Sequence, residues 1–459
     1  MSVQPGMGGL RRRVLKGIGG QAFGQLAGFF VQLAGVPLYL AFWGVDLYGE
    51  WLILAALPGW LTISDLGFTT ATAHAMTMEI AAGDRAAALT SFRTTWWLVS
   101  GLSLLVGLAA AAVALWMPLD IWLNLSLLGA GDTAIIVLLL ALHVVLNLQT
   151  GLLNAGFHAE GEYGEGVALL SLARLVEFIL VAIAVVAGAG PVGAATALVV
   201  GRMTAWLFMR WRLYRVASWL SFGLGGFSAA TARRLFGPAL GFTGYLVGHA
   251  LSIQGPILII GATLGPAAVV PFATLRTLLR MVQQVLQSVS TVARPEIGLA
   301  AGRGDRHLMR RLNREACRVA LWLLVGATAV LVPFGDYIVS LWTVGRVAAA
   351  QPLFGVLTAA MVATAIWHAA SWALQAVNRV QGQAILYVAL NSAAIVVMVA
   401  FTARFGLILP ALALLAADAV LAVFVVWQSL KYLEERPAAF LASLLVPPFH
   451  ILGYLRGRH

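Results

Sequence analysis

The arginines of this chain fall in clusters. Between the clusters run stretches of roughly 20 or more residues with one cation or none. That spacing limits the fold more than any other feature. Of 29 Lys and Arg residues, all but Lys16 and Lys431 are arginine. The 459 residues are 61% hydrophobic and 10% charged, whereas soluble domains carry about 25% charged residues. An uncharged run of that length crosses a hydrocarbon core about 30 Å thick as one helix. The chain therefore reads as an all-α polytopic membrane protein. Its basic excess of +11 is read as topogenic arginine beside anionic headgroups, not as a nucleic-acid surface.

Twelve spans are predicted, near 17–42, 49–76, 95–117, 132–156, 166–188, 191–213, 235–263, 266–294, 316–335, 350–376, 383–402 and 405–430. The basic start, Arg11-Arg12-Arg13 and Lys16, runs straight into the first of them. That pattern points to a retained span and not to a cleaved leader. With this count, 23 of the cations fall at the termini and in the even-numbered connections. Only Arg346 and Arg404 fall in the odd-numbered ones. The bias places both termini on the cytoplasmic side of an inner membrane. The four remaining cations, Arg174, Arg202, Arg276 and Arg280, fall inside spans. The apolar tail, interrupted by Pro447-Pro448, is too short to span and reads as interfacial. Cys317 is the single cysteine. It is placed in the basic loop after span eight, as a passive apolar residue.

The chain also repeats itself at a shift of 221 residues. Arg12-Arg13 falls on Arg233-Arg234, Gly44 on Gly265, Asp84-Arg85 on Asp305-Arg306 and Arg93 on Arg314. Leu153 and Ala155 fall on Leu374 and Ala376. Six spans are an even number, so the two copies enter from the same side and form parallel repeats. The expected organisation is a six-helix bundle over 1–220, a second over 221–436 and an interfacial tail over 437–459. Two such bundles around a central cavity make a transporter architecture.

Two short motifs point to a family. Leu47-Tyr48-Gly49-Glu50-Trp51 opens span two, and Ser64-Asp65-Leu66-Gly67-Phe68 follows within it. Together with the length, topology and repeat, they make the chain resemble the Wzx-type polysaccharide-unit flippases. These belong to the polysaccharide transport family of the multidrug/oligosaccharidyl-lipid/polysaccharide (MOP) superfamily. The resemblance implies a MATE-like fold and a flippase moving an undecaprenyl-diphosphate-linked oligosaccharide to the outer leaflet for lipopolysaccharide or exopolysaccharide synthesis. It implies a polyprenyl-diphosphate-linked glycan and membrane lipids as partners, with polysaccharide polymerase or export machinery downstream. A monomer without cofactor is expected. By analogy with the superfamily, spans one, two, seven and eight form the gate, bending at Gly17, Gly19, Gly20, Gly24, Gly28, Gly35, Pro37, Pro256 and Gly261.

Ionisable groups at membrane depth are costly, so each calls for a role. Span eight is the richest in them. Arg276 lies about 15 Å from its outer end and Arg280 one turn further. Gln283, Gln284, Gln287, Ser288 and Thr291 continue a polar stripe. The functional reading is an anion-binding wall, since guanidinium binds phosphate bidentately; the bland one is arginine paired with a carboxylate. Arg174 and Glu177, at i and i+3, form a local ion pair or join the cavity. Arg202 meets the phosphate or pairs with Asp418 or another carboxylate. Asp65 caps a helix break or takes part in gating or coupling. Asp418, isolated among apolar residues, is a proton-coupling candidate, and so is Glu177. His249 can change charge near neutral pH or sit neutral and hydrogen-bonded. Gln25, Gln32, Gln149 and Asn154 are expected to join the polar lining.

No catalytic set or metal-ligand spacing is present in the sequence. No segment outside the spans is long enough for a soluble catalytic or nucleotide-binding domain. A membrane-embedded glycan polymerase or acyltransferase is disfavoured on that ground. A drug/cation antiporter would call for acids where span eight offers Arg. A lipid II-type flippase shares the phosphate chemistry but usually has fourteen spans.

Overall fold

The computed structural model describes residues 7–61, 65, 67–223, 225–377 and 379–447. Among them there are fifteen helices and no strand. They are α1 (Met7–Ala55), α2 (Leu57–Leu61), α3 (Phe68–Ala81), α4 (Arg85–Trp116), α5 (Leu119–Trp122), α6 (Ala130–Ala159), α7 (Tyr163–Val186), α8 (Pro191–Val216), α9 (Ala229–Leu264), α10 (Pro266–Gly302), α11 (Arg306–Trp342), α12 (Leu353–Ala376), α13 (Gln381–Phe405), α14 (Ile408–Leu433) and α15 (Pro437–Leu445). Large apolar side chains stand on the outside of many of them, among them Leu104, Ile183, Val332 and Val423. A soluble protein would bury such surface; lipid accepts it.

Ten helices among the described residues are long and apolar enough to cross a membrane. Two differences separate that count from twelve. The first candidate, Gly19–Leu61, holds span one and the start of span two. They are divided at Gly44, where φ is +73° and ψ is −171°. The other is α10, whose arginines and amides lower its hydropathy although its length suffices. With these two, the chain is a polytopic all-α membrane protein of twelve spans. Span two is not one helix: it continues through α2 and resumes as α3, with Gly67 at φ +73°. Residues 62–64 and 66, which include Ser64 and Leu66 of the second motif, lie outside the described residues.

The 221-residue repeat appears in the backbone. Gly44 and Gly265 both take positive φ, at +73° and +87°. So do Gly83 and Gly304, at +83° and +70°. In the left-handed region a Cβ is strained, so glycine is retained at both copies of each turn. Asp84 and Asp305 each cap the next helix, accepting from Ala87 N at 2.8 Å and Leu308 N at 2.9 Å. Arg93 and Arg314 each clamp the segment that follows the sixth helix of their half. Arg93 Nη2 donates to Ser221 Oγ at 2.7 Å, and Arg314 pairs with Glu435. Arg12 and Arg13 have no described side chains, so that match stays at the level of sequence.

The chain forms two compact units. One comprises Met1–Ala250 with Gly265–Ala267, the other Leu251–Leu264 with Ala268–His459. The division between these units falls inside α9. The early turns of α9 are held within the first unit. Arg234 bonds Glu79 and Ser91, and Phe236 lies 6.3 Å from Phe68. Buried Leu235 and Ala239 pack with Phe68 and Ala71.

One expectation is corrected. The basic "loop" after span eight is a turn at 303–305 between two helices that continue past the apolar stretch. Cys317 accordingly lies buried in α11, its Sγ 3.7 Å from Ala369 O. Gly20 and Gly24 are contact points between helices. A Cβ on Gly20 would overlap the Gly164 backbone, and one on Gly24 would come 2.7 Å from Ser171 Oγ. They let α1 lie close against α7. The tail forms the nine-residue α15 on α11, where Arg318 Nε donates to Ser443 O at 2.8 Å and Trp322 Nε1 to Leu444 O at 3.2 Å. Residues 448–459 lie outside the described residues.

Candidate functional site

In the first unit, buried charge gathers where α6, α7 and α8 meet. Glu177 does not close the i, i+3 pair with Arg174. Its carboxylate instead lies 2.5 Å from Arg202 Nε and accepts from Arg202 Nη2 at 2.9 Å. His143 Nε2 stands 3.4 Å from the same carboxylate. Glu177 and Arg202 are each 5% exposed. Gly201 makes room for the pair, since a Cβ there would come 2.9 Å from Glu177 Cγ. Arg202 therefore takes the "another carboxylate" alternative and not Asp418. Arg174 is exposed and donates to Ser171 Oγ at 3.3 Å.

Asp65 bridges the break before α3, accepting from Thr69 N at 3.2 Å and Thr69 Oγ1 at 2.5 Å. The carboxylate thus caps the resumed helix. Glu50 of the first motif is fully buried. It accepts from the backbone N–H groups of Ser126, Leu127 and Leu128 at 2.6, 2.7 and 2.8 Å. Its neighbours are equally structural: Gly49 lies against the Pro266 carbonyl, and Tyr48 stacks on Tyr39 at 5.2 Å. Gln149 donates to Ser100 Oγ at 3.1 Å. Gln25 and Gln32 are half-buried on α1, with the Gln32 carbonyl oxygen sequestered and unbonded. Asn154 Oδ1 lies close to Gly166. His249 is exposed on α9.

In the second unit the polar groups lie along α10 and its neighbours. Arg276 is half-buried over the Phe272 ring, 5.6 Å from its centroid. It donates from Nη2 to Ser252 O at 3.0 Å and from Nη1 to Ile253 O at 3.4 Å. Ser252 lies four residues before Pro256, which has no N–H to offer it. Arg276 thus satisfies the carbonyl that the proline leaves open. Arg280 donates to Thr277 Oγ1 at 3.1 Å. Further along, Gln287 Nε2 lies 2.8 Å from His368 Nδ1, and Arg294 Nη1 donates to Gln375 Oε1 at 2.9 Å. Both pairs are 81 residues apart in sequence, so α10 and α12 run side by side in constant register. Gln283, Gln284 and Ser288 are half-buried on the same helix. The side chain of Thr291 lies outside the described residues.

Asp418 is buried on α14, and α12 holds both of its oxygens. Thr364 Oγ1 donates to Oδ2 at 2.7 Å and Trp367 Nε1 to Oδ1 at 3.0 Å. Trp367 in turn lies against His368, with ring centroids 3.8 Å apart. Sequence reading missed His143, Thr364, Trp367, His368 and Glu50 as polar partners. His368 could have been found: Thr364, His368, Ser371 and Gln375 recur at spacings of four, three and four, the same helical stripe that marks α10. His143 has no such local signal.

The helices and their order define a fold, that of the MATE-like membrane proteins. A multidrug resistance MATE family transporter of the MOP superfamily in an inward-facing conformation superposes with a TM-score of 0.68 at 15% identity, covering 90% of this chain and 94% of its own. The lipid II flippase MurJ in an inward closed conformation does so at 0.69 and 13% identity, covering 97% and 93%. A MOP superfamily transporter from Pyrococcus furiosus, described as having a binding pocket of reversed polarity that suggests a different function, gives 0.53 at 16% identity, covering 92% and 94%. No protein-family model and no curated protein matches the sequence. These three neighbours are named as transporters and a flippase.

Proposed function

We propose that the chain is a flippase for a polyprenyl-diphosphate-linked oligosaccharide repeat unit, carrying it from the cytoplasmic to the outer leaflet of a bacterial inner membrane for polysaccharide synthesis. The observation that carries this reading is the polar row of α10. There Arg276 and Arg280 stand one turn apart at membrane depth, followed by Gln283, Gln284 and Gln287. An anionic headgroup crossing hydrocarbon needs cations placed in advance to offset its desolvation. The amides beyond them suit sugar hydroxyls. An organic cation would be repelled by the same row. The Pyrococcus neighbour offers a precedent for reversed pocket polarity within the superfamily.

Arg280 is the sharper test, because Arg276 also serves the α9 backbone. Replacing Arg280 with Ala lowers export of lipid-linked oligosaccharide about tenfold or more, the weight of one charge-assisted bond. Intermediate accumulates in cells that make normal amounts of the variant. Arg276→Ala lowers export as well. Full export in both variants, measured by lipid extraction and by surface polysaccharide, would show that the cations do not serve the substrate. Accumulation of peptidoglycan precursor in place of oligosaccharide would instead identify a lipid II-type substrate.

A further inference from the structure

On the first unit, α3, α4 and α9 enclose an apolar groove of about 590 Å³. Phe68, Trp97, Leu98, Leu105 and Phe236 form its sides. Gly101 forms part of its floor, where an added Cβ would meet nothing within 4 Å. The α4 wall runs from Trp97 to Leu105, about 12 Å of helix and so close to the depth of one leaflet. One charged residue lines the groove, Arg233, which sits near the start of α9. Its neighbour Arg234 is taken up by Glu79 and Ser91. Arg233 is exposed and has no ion pair or hydrogen bond among the described residues.

We infer that this groove binds an anionic phospholipid from the leaflet on the arginine-rich side. One acyl chain lies along α4 over Gly101, and the headgroup phosphate bonds the Arg233 guanidinium. Two observations bear on the occupant. The free cation at one end of an otherwise apolar groove complements a phosphate joined to a chain. The length of the wall matches an acyl chain confined to one leaflet; a much longer polyprenyl chain would overrun it. The site goes beyond the transport reading and stands without it.

The test is native mass spectrometry of the full chain in detergent. Phosphatidylglycerol, phosphatidylcholine of the same acyl chains and a C55 polyprenyl phosphate serve as probes. Wild type retains phosphatidylglycerol over phosphatidylcholine. Arg233→Ala lowers that preference about fivefold, the weight of one cation near a charged headgroup. Gly101→Leu fills the floor and lowers retention of both phospholipids; Gly101→Ala gives a smaller drop in the same direction and tests the groove should the larger side chain unsettle the fold. Arg346→Ala, far along the chain, changes nothing. An unchanged preference in Arg233→Ala overturns the inference. So does displacement of phosphatidylglycerol by an equal amount of polyprenyl phosphate, which would assign the groove to a substrate chain.

Discussion

The two halves share their ends and differ in their interiors. The turn glycines, the capping aspartates and the clamping arginines repeat at 221 residues. The buried charges do not. Beside Glu50, which backbone N–H groups hold, each half buries a carboxylate that bonds a fourth-span side chain, and the two partners occupy the same repeat position: His143 with Glu177, Thr364 with Asp418. The acid itself has moved. Glu177 is on the fifth span, where the second half has Met398. Asp418 is on the sixth, where the first half has Ala197. Arg202 answers to Val423. One half thus holds its acid with a full counter-ion, the other with two neutral donors. Turn geometry admits few residue types, so it repeats. A buried acid needs only some satisfied partner, and several helices can supply one.

The largest test of this contrast is at Glu177. Replacement by Ala strands Arg202 in the bundle and costs about 3–5 kcal/mol, read as loss of monodisperse protein and a lower Tm. Writing the second half's residues into the first, as E177M/R202V, recovers most of that stability. A single-variant loss under about 1 kcal/mol would show the pair to be solvated and the contrast empty. Next is Arg276→Ala, which leaves the Ser252 carbonyl open and costs about 1–3 kcal/mol. Pro256→Ala restores an N–H for that carbonyl, so the double variant loses less than the sum of the two singles. Strict additivity in that cycle would remove the proposed link. Asp418→Asn keeps an acceptor for Trp367 and costs about 1–2 kcal/mol, less than the loss at Glu177. The smallest effect sharpens the shared side. Asp84→Ala and Asp305→Ala each cost about 1 kcal/mol and agree within about 0.5 kcal/mol.

What could be read in the sequence follows the same line. Gly44, Gly265, Asp84 and Asp305 were legible because each solves a local backbone problem, and local problems are visible in local sequence. The α10 stripe was legible because helical periodicity fixes its face. The choice of Arg202 by Glu177 was not. Arg174 sits at the right spacing on the same helix, but the rotation of α7 against α8 decides which guanidinium reaches the carboxylate. Part of the Arg276 geometry was within reach, since a proline at 256 marks Ser252 as an open acceptor. Which donor fills it depends on packing between helices. The break in span two is legible at Asp65 as one of two readings, while the part that Gly67 plays in it has no signal in the apolar run.

The membership of Gly265–Ala267 in the first unit bears on how the chain is made. The Pro266 carbonyl lies against Gly49, and the early turns of α9 lie on α3. A nascent chain that has left the ribosome only as far as residue 220 lacks both. The first bundle therefore completes its packing only after the seventh helix has been synthesised and threaded through the bilayer. Coexpressed fragments cut near residue 220 leave the first fragment without its last wall, and a cut after Ala267 keeps that wall attached to it.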